Sequence, residues 1–174
     1  GYGYLNNQLM QSDILNIETR QVAYNTELLG VNNTANEVLI GASTYNDIWG
    51  YTSANGKEYA LIGTWDGTQI IDISTNPESP STVGYIPGSY STHRDIKTYD
   101  EYMYIGTEAS FPGFSGSQGV QVVDLNNPYD PLLVNEWDLI NQSHNIMEYQ
   151  GYLYVVGSFD DVNQDGDRSD IIVL

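Results

Sequence analysis

Short apolar segments, each closed by a turn residue, follow one another from about residue 45 to the end of the chain. The clearest are the segments 58–63, 101–106 and 151–157, which are rich in aromatic and β-branched residues and end in Gly. Such runs, bounded by turn residues, are typical of β-strands. No stretch keeps the 3.6-residue period of an amphipathic helix. The pattern therefore predicts an all-β fold.

The strand pattern repeats with a period of about fifty residues. The frame Asn-Pro-x-x-Pro-x-x-Val begins at Asn76 and again at Asn127, 51 residues later. Upstream of this frame the segments 70–73 and 122–125 both carry Asp after two β-branched residues, and a third copy begins at Ile172. A fixed period of this length indicates a repeat architecture in which each copy forms one supersecondary unit.

One repeat reads as a strand, a hairpin turn, a central strand, a loop, a strand ending in Asp, a Pro-bounded turn and a fourth strand. The first strands begin at Asp47, Asp95 and Asn145, and Asn55-Gly56 is a strong hairpin signal. Four antiparallel strands per 40–50 residues are typical of a β-propeller blade, whereas a sandwich would not require the fifty-residue repeat. We therefore predict β-propeller-like four-stranded antiparallel blades, in about three repeats that form a fragment of a larger propeller.

This interpretation separates an N-terminal segment, residues 1–40, from three repeats over residues 41–174. The repeats span about 41–90, 91–140 and 141–174, and the third is incomplete. Within the N-terminal segment Glu27–Val31 resembles a fourth strand and is a candidate closure strand, while residues 1–24 match no part of the repeat. Closure of a propeller takes four or more blades, so we expect that the chain is not a complete fold.

The charge and composition exclude several classes of function. The chain has 23 Asp and Glu against 5 Lys and Arg, with a net charge of −18, which repels phosphate backbones and anionic lipid headgroups. Without Cys it has neither disulfides nor thiolate metal sites. It also lacks a run of 18 apolar residues. We therefore expect no nucleic-acid partner and no direct membrane insertion of this segment.

An acidic run near the end of the chain has the spacing of a calcium loop. Asp161, Asn163 and Asp165 occupy positions 1, 3 and 5 of this run, and Gly166 occupies position 6. Oxygen ligands at alternate positions followed by Gly, which permits a sharp turn, are typical of loops that wrap around Ca²⁺. The same residues also make a solvated acidic turn without metal, so this alternative stays open.

The remaining ligands of the predicted site depart from the EF-hand pattern. Position 12, where an EF-hand carries a bidentate Glu, is Ile172, so Asp170 is the candidate substitute, and Asp167 would contribute its backbone carbonyl. The predicted Ca²⁺ ligands are thus Asp161, Asn163, Asp165, Asp167 and Asp170.

Two further sets of polar residues recur with the repeat. The first lies at or just before the first strands and forms a candidate ring at a propeller channel: Asp47, His93, Arg94, Asp95, His144 and Asn145. The two histidines with Asp would be the minimum for a zinc or catalytic site, and the alternative is that they satisfy backbone groups between blades. The second set, Asp72 and Asp124, is predicted to cap turns because both recur at the repeat period.

The order of these motifs resembles a known family. The segments Asp-Ile-Trp-Gly-Tyr at 47–51, His-Arg-Asp-Ile-Lys at 93–97 and Ser-His-Asn-Ile-Met at 143–147, with the strands at 58–63 and 151–157, are similar to the bacterial choice-of-anchor B family, whose repeats are related to LVIVD-type propeller repeats. The resemblance covers about residues 45–174. It implies a secreted or surface-displayed propeller with no established enzymatic activity.

The sequence leaves three functions open. The first is an extracellular or outer-surface bacterial module that binds a protein or a glycan, with Ca²⁺ stiffening one loop. The second is a hydrolase or lyase that uses a metal in the channel around His93, Asp95 and His144. The third is a structural subunit that assembles with other chains through exposed Tyr-rich strand edges.

Overall fold

The structure, a computed structural model, describes residues 27–34, 45–108, 119–158 and 171–174 and the backbone of 4–5 and 8–9. All regular elements in these ranges are β-strands. They are β1 (Tyr4–Leu5), β2 (Gln8–Leu9), β3 (Tyr45–Thr52), β4 (Glu58–Thr64), β5 (Gly67–Asp72), β6 (Ser81–Pro87), β7 (Arg94–Tyr99), β8 (Tyr102–Thr107), β9 (Val120–Asp124), β10 (Leu132–Trp137), β11 (Asn145–Tyr149), β12 (Tyr152–Val156) and β13 (Ile172–Val173).

The strands from β3 onward form three antiparallel sheets in which neighbours in sequence are neighbours in space. The first sheet has the order β3-β4-β5-β6, the second sheet β7-β8-β9-β10, and the third sheet β11-β12-β13, while β1 and β2 pair separately. The three sheets extend over residues 45–87, 94–137 and 145–173. The all-β fold and the four-stranded antiparallel units of the first two repeats are confirmed.

Tight turns fix the register of the first two strands of each sheet. Between β3 and β4 the chain turns at the predicted Asn55-Gly56 pair, where Gly56 has φ +80° and donates from its N–H to Ser53 O at 2.8 Å. Between β11 and β12 both turn residues, Gln150 and Gly151, have positive φ, as a two-residue type I′ turn requires. In the second and third sheets Tyr99 therefore pairs with Tyr102, and Tyr149 with Tyr152.

The second sheet packs one face on the first sheet and the opposite face on the third. We call the face that packs on the preceding sheet the leading face and the opposite face the trailing face, and we use the same names for the equivalent faces of the first and third sheets. The first seam joins the trailing face of the first sheet, with Tyr59 and Leu61, to the leading face of the second, with Met103 and Ile105. The second seam contains Tyr104 and Trp137 from the second sheet and, from the third, Ile146, Leu153, Val155 and Ile172.

The apolar core therefore lies between sheets and not inside one closed barrel. Alternation along each strand sends successive side chains to opposite faces, so one strand serves two seams. The first strands of the three sheets also lie side by side, β3 against β7 and β7 against β11. This brings the beginnings of the three repeats together at one place.

Two regions differ from the expected blade pattern. Glu27–Val31, the candidate closure strand, forms no strand; residues 27–34 instead follow the turn before β6, where Asn32 Nδ2 donates to Pro80 O at 3.1 Å. The third sheet has three strands among the described residues. No helix in the described part of the chain is long and apolar enough to cross a membrane.

Candidate functional site

The candidate ring residues surround one open depression of about 450 Å³. We call it the polar depression. It is formed where β3, β7 and β11 begin, because these strands lie side by side. Its lining comprises Tyr45, Asn46, Asp47, Thr92, His93, Arg94, Asp95, His144 and Asn145. The structure thus places all six sequence-predicted ring residues at one surface, and their function stays a prediction.

Two carboxylates of the polar depression bind the sheets to one another in series. Asp47 Oδ2 accepts a hydrogen bond of 2.8 Å from the backbone N–H of Ile96. One repeat later, Asp95 Oδ2 accepts one of 2.6 Å from the N–H of Ile146. In both cases the carboxylate at the start of one first strand caps an N–H of the next first strand. These bonds satisfy backbone donors at the edge of each sheet, where no strand of the same sheet can pair with them.

A lysine holds both carboxylates at the first of these junctions. Lys97 Nζ forms an ion pair with Asp95 Oδ1 and lies 4.0 Å from Asp47 Oδ2. The same ammonium group lies 4.6 Å from the centre of the Trp49 ring. The Trp49 ring in turn donates from Nε1 to Thr98 Oγ1 at 3.0 Å. One partly buried ammonium group therefore offsets part of the charge of two carboxylates, and its position depends on both sheets.

Arg94 is a structural cation, although the sequence grouped it with the ring. Its Nε donates to Thr64 O at 2.8 Å, and its Nη2 donates to the carbonyl oxygens of Trp65 and Ser89. The side chain is buried, and burial lowers its pKa to about 10. The guanidinium thus stays charged at neutral pH and fastens the start of the second sheet to the end of β4.

The two histidines meet at a carboxylate that the sequence did not indicate. His144 Nδ1 contacts Glu108 Oε1, and His93 Nε2 lies 3.9 Å from Glu108 Oε2. The histidine side chains are 64% and 66% exposed, so they do not satisfy buried backbone groups. That role, which the sequence analysis offered for the histidines, belongs to Asp47 and Asp95. No group of three or more potential metal ligands among the described residues is arranged to hold an ion.

Removing the two histidines is expected to change stability little. Exposed ion pairs contribute between zero and about 1 kcal/mol, because water screens them and long side chains lose rotamer freedom. We therefore expect the His93→Ala/His144→Ala double variant to unfold within about 1 kcal/mol of wild type in urea. Glu108→Gln is the matched control, since it removes the shared partner instead. A loss several times larger in both variants would show that this cluster holds the second seam together.

The paired aspartates at the ends of β5 and β9 cap turns, as predicted. Asp72 Oδ1 accepts from the backbone N–H groups of Ser74 and Thr75, at 2.9 and 2.8 Å. Asp124 Oδ1 accepts from Asn126 N at 2.7 Å. Asp72 Oδ2 also reaches across the first seam to the Tyr129 hydroxyl, 2.8 Å away. A turn cap in the first sheet is therefore also a fastener between two sheets.

Sequence reasoning missed three residues that make these contacts: Glu108, Lys97 and Tyr129. Glu108 has no acidic equivalent in the other repeats, where Trp65 and Ser158 follow the same kind of strand. Lys97 is a lone cation two residues after Asp95 in the sequence, and this proximity is the one signal that would have indicated their ion pair. Contacts of Tyr129 depend on how the sheets stack, which a repeat pattern does not specify.

The predicted Ca²⁺ ligands Asp161, Asn163, Asp165, Asp167 and Asp170 lie outside the described residues. No protein-family model, no curated protein and no solved structure matches the chain.

Proposed function

We propose that the chain is a non-enzymatic binding or scaffold module made of β-propeller blades, and that it contacts a protein or a glycan through the polar depression. The observation that carries this proposal is the engagement of Asp47 and Asp95. Both carboxylates accept backbone N–H bonds across the seams and share Lys97. A general base has to reach a proton of its substrate, whereas both carboxylates are engaged between sheets and the Asp95 side chain is only 9% exposed.

The serial arrangement of the sheets supports the propeller interpretation. Each sheet is a four-stranded or three-stranded meander, and the first strands of successive sheets adjoin. Radial stacking of such units around first strands is the architecture of a propeller, in which ligands bind where the inner strands end. The motif resemblance to the choice-of-anchor B family supports the same interpretation and a location outside a bacterial cell.

Exposed polar groups support ligand binding at the depression. The side chains of His93 and His144 are 64% and 66% exposed, and Asn145 is exposed beside them. Imidazole nitrogens and an amide can donate to or accept from a ligand. Carbonyl oxygens of a peptide and hydroxyl oxygens of a sugar can both pair with such groups. Either class of ligand would be favoured over nucleic acid, given the chain's net charge of −18.

Amide chemical shifts of the ¹⁵N-labelled chain test this function. One titration uses a panel of neutral oligosaccharides and the other a panel of short neutral peptides. We expect shifts at residues 92–95 and 144–145 with one panel, and their loss in His144→Ala but not in Asn135→Ala, an exposed control on β10. Silence with both panels at millimolar concentration would contradict binding at this site. Cleavage of a probe in a reaction that EDTA stops would favour the metal-dependent hydrolase.

The calcium part of the proposal rests on the spacing of the acidic run. Close carboxylates repel one another by roughly 1 kcal/mol per pair in water, and a divalent cation removes this repulsion. We expect millimolar Ca²⁺ to raise the melting temperature. A ligand that binds only the folded state, at 100 times its Kd, stabilises that state against unfolding by about 2.7 kcal/mol. Asp161→Ala should abolish the rise, while Asp130→Ala, outside the run, should keep it. Equal melting in EDTA and in Ca²⁺ would refute the site.

A further inference from the structure

The leading face of the first sheet carries the residues that seams bury elsewhere. Ile48 occupies the position of Ile96 and Ile146, one residue after the recurring Asp or Asn. Ile96 and Ile146 are 0% and 1% exposed because each lies in a seam, whereas Ile48 is 62% exposed. Burial of an apolar side chain of this size contributes more than about 1 kcal/mol, and this contribution is not obtained while the side chain stays in water.

The neighbouring positions on this face repeat the same comparison. Ala60 and Ile62 are the equivalents of Met103 and Ile105, which are fully buried in the first seam. On the first sheet they line an open groove of about 390 Å³ together with Ile48, Ile71 and Ile73. The groove is thus the leading half of a seam, and no sheet of the described residues packs against it.

The third sheet presents the complementary half. On its trailing face Met147, Tyr149 and Tyr152 are more than half exposed. The equivalent pair on the first sheet, Tyr51 and Tyr59, is buried in the first seam. The two ends of the series of sheets therefore carry opposite halves of the same interface.

We propose that a second copy of this chain occupies both faces, with the trailing face of each copy against the leading face of the other. The two seams inside the chain are the pattern for this contact. Asn145 stands where Asp47 and Asp95 stand, is exposed, and carries a side-chain oxygen that can accept from the N–H of Ile48. This contact would repeat the bonds to Ile96 and Ile146. Two copies bring six sheets into series, within the four to eight blades of known propellers.

The net charge predicts how dimerisation depends on salt. Two chains of charge −18 repel one another at long range, and salt screens this repulsion while leaving apolar contacts intact. Dimerisation should therefore strengthen as NaCl is raised from 0.05 to about 0.5 M, where the Debye length falls from more than 10 Å towards a few ångströms. An association held by ion pairs would weaken instead.

Sedimentation velocity of the whole chain with three double variants tests the proposal. Ile48→Gln/Ile73→Gln alters the leading face and Met147→Gln/Tyr149→Gln the trailing face, without changing charge. Leu132→Gln/Leu139→Gln is the control, because these residues are 62% and 66% exposed but lie on neither face. Far-UV circular dichroism verifies that each variant is folded.

We expect wild type and the control to dimerise at tens of micromolar in 0.5 M NaCl, and each face variant to dimerise at least tenfold more weakly. An equimolar mixture of the two face variants should recover a dimer, since one intact leading face and one intact trailing face remain. A wild-type monomer under these conditions would overturn the proposal, because it would show that the two faces do not bind a second copy of the chain. So would a face variant that dimerises like wild type, because it would show like faces pairing.

Discussion

Replacing Asp72 with alanine is expected to destabilise the fold by about 3 kcal/mol, since several hydrogen bonds to one buried carboxylate are lost together. Besides the backbone N–H groups of Ser74 and Thr75, the carboxylate accepts from the hydroxyls of Thr75 and Tyr129 and pairs with Lys57. Urea unfolding measures the loss. Tyr129→Phe removes the contact across the first seam alone and should cost about 1 kcal/mol. Equal losses in the two variants would contradict the turn-capping role of Asp72.

The same residue gives the stability a defined pH dependence. Hydrogen bonds from Thr75, first its hydroxyl and then its N–H, hold the pKa of Asp72 well below its usual range. A carboxyl with a lowered pKa in the folded state stabilises the fold fully above its unfolded pKa of about 3.9, and loses that contribution as pH falls through the folded value. Between pH 5 and pH 2.5 wild type should therefore lose more stability than Asp72→Asn. Parallel curves for the two proteins would show that Asp72 is not the responsible group.

The second large effect is expected for Asp95→Ala, at about 2–3 kcal/mol. The substitution leaves the buried N–H of Ile146 without an acceptor and removes the closer carboxylate from Lys97. An unsatisfied buried donor costs about 1–3 kcal/mol, and hydrogen bonds to charged groups lie at the upper end of that range. Asp47→Ala should cost less, because the Asp47 side chain is 32% exposed and that of Asp95 9%.

Asp95→Asn distinguishes the hydrogen bond from the charge. Asparagine keeps an oxygen that accepts from Ile146 N but loses the ion pair with Lys97, so we expect it to recover more than half of the stability lost in Asp95→Ala. An asparagine variant as unstable as the alanine variant would assign the effect to the ion pair.

The strands could be predicted from sequence because their signals are local. Segment 145–149 coincides with β11, and the hairpin at Gly56 forms as predicted, since alternation and turn chemistry act within a few residues. The recurrence of Asp47, Asp95 and Asn145 at strand starts also predicted that they share one surface, and all three line the polar depression. Glu27–Val31 was the exception: its apolar pattern resembles a strand, but its segment makes side-chain contacts with the first sheet instead of a ladder.

The partners of the site residues could not be predicted, because they depend on how one sheet stacks on another. The sequence shows that Asp95 recurs but not that it accepts from a residue 51 positions away. It likewise shows two histidines one repeat apart without the carboxylate of Glu108 between them. A repeat pattern fixes which face a side chain occupies, whereas the contact across a seam depends on the offset between sheets.

Hydrogen exchange at two backbone amides tests most directly whether carboxylates of one sheet hold the next. Ile96 and Ile146 donate across the seams and not within their own sheets, so both amides should be protected in wild type. Asp47→Ala should accelerate exchange at Ile96 but not at Ile146, and Asp95→Ala should do the reverse. If both amides exchange in wild type at the rate of an unprotected peptide, or respond equally to either substitution, the serial linkage of the sheets is contradicted.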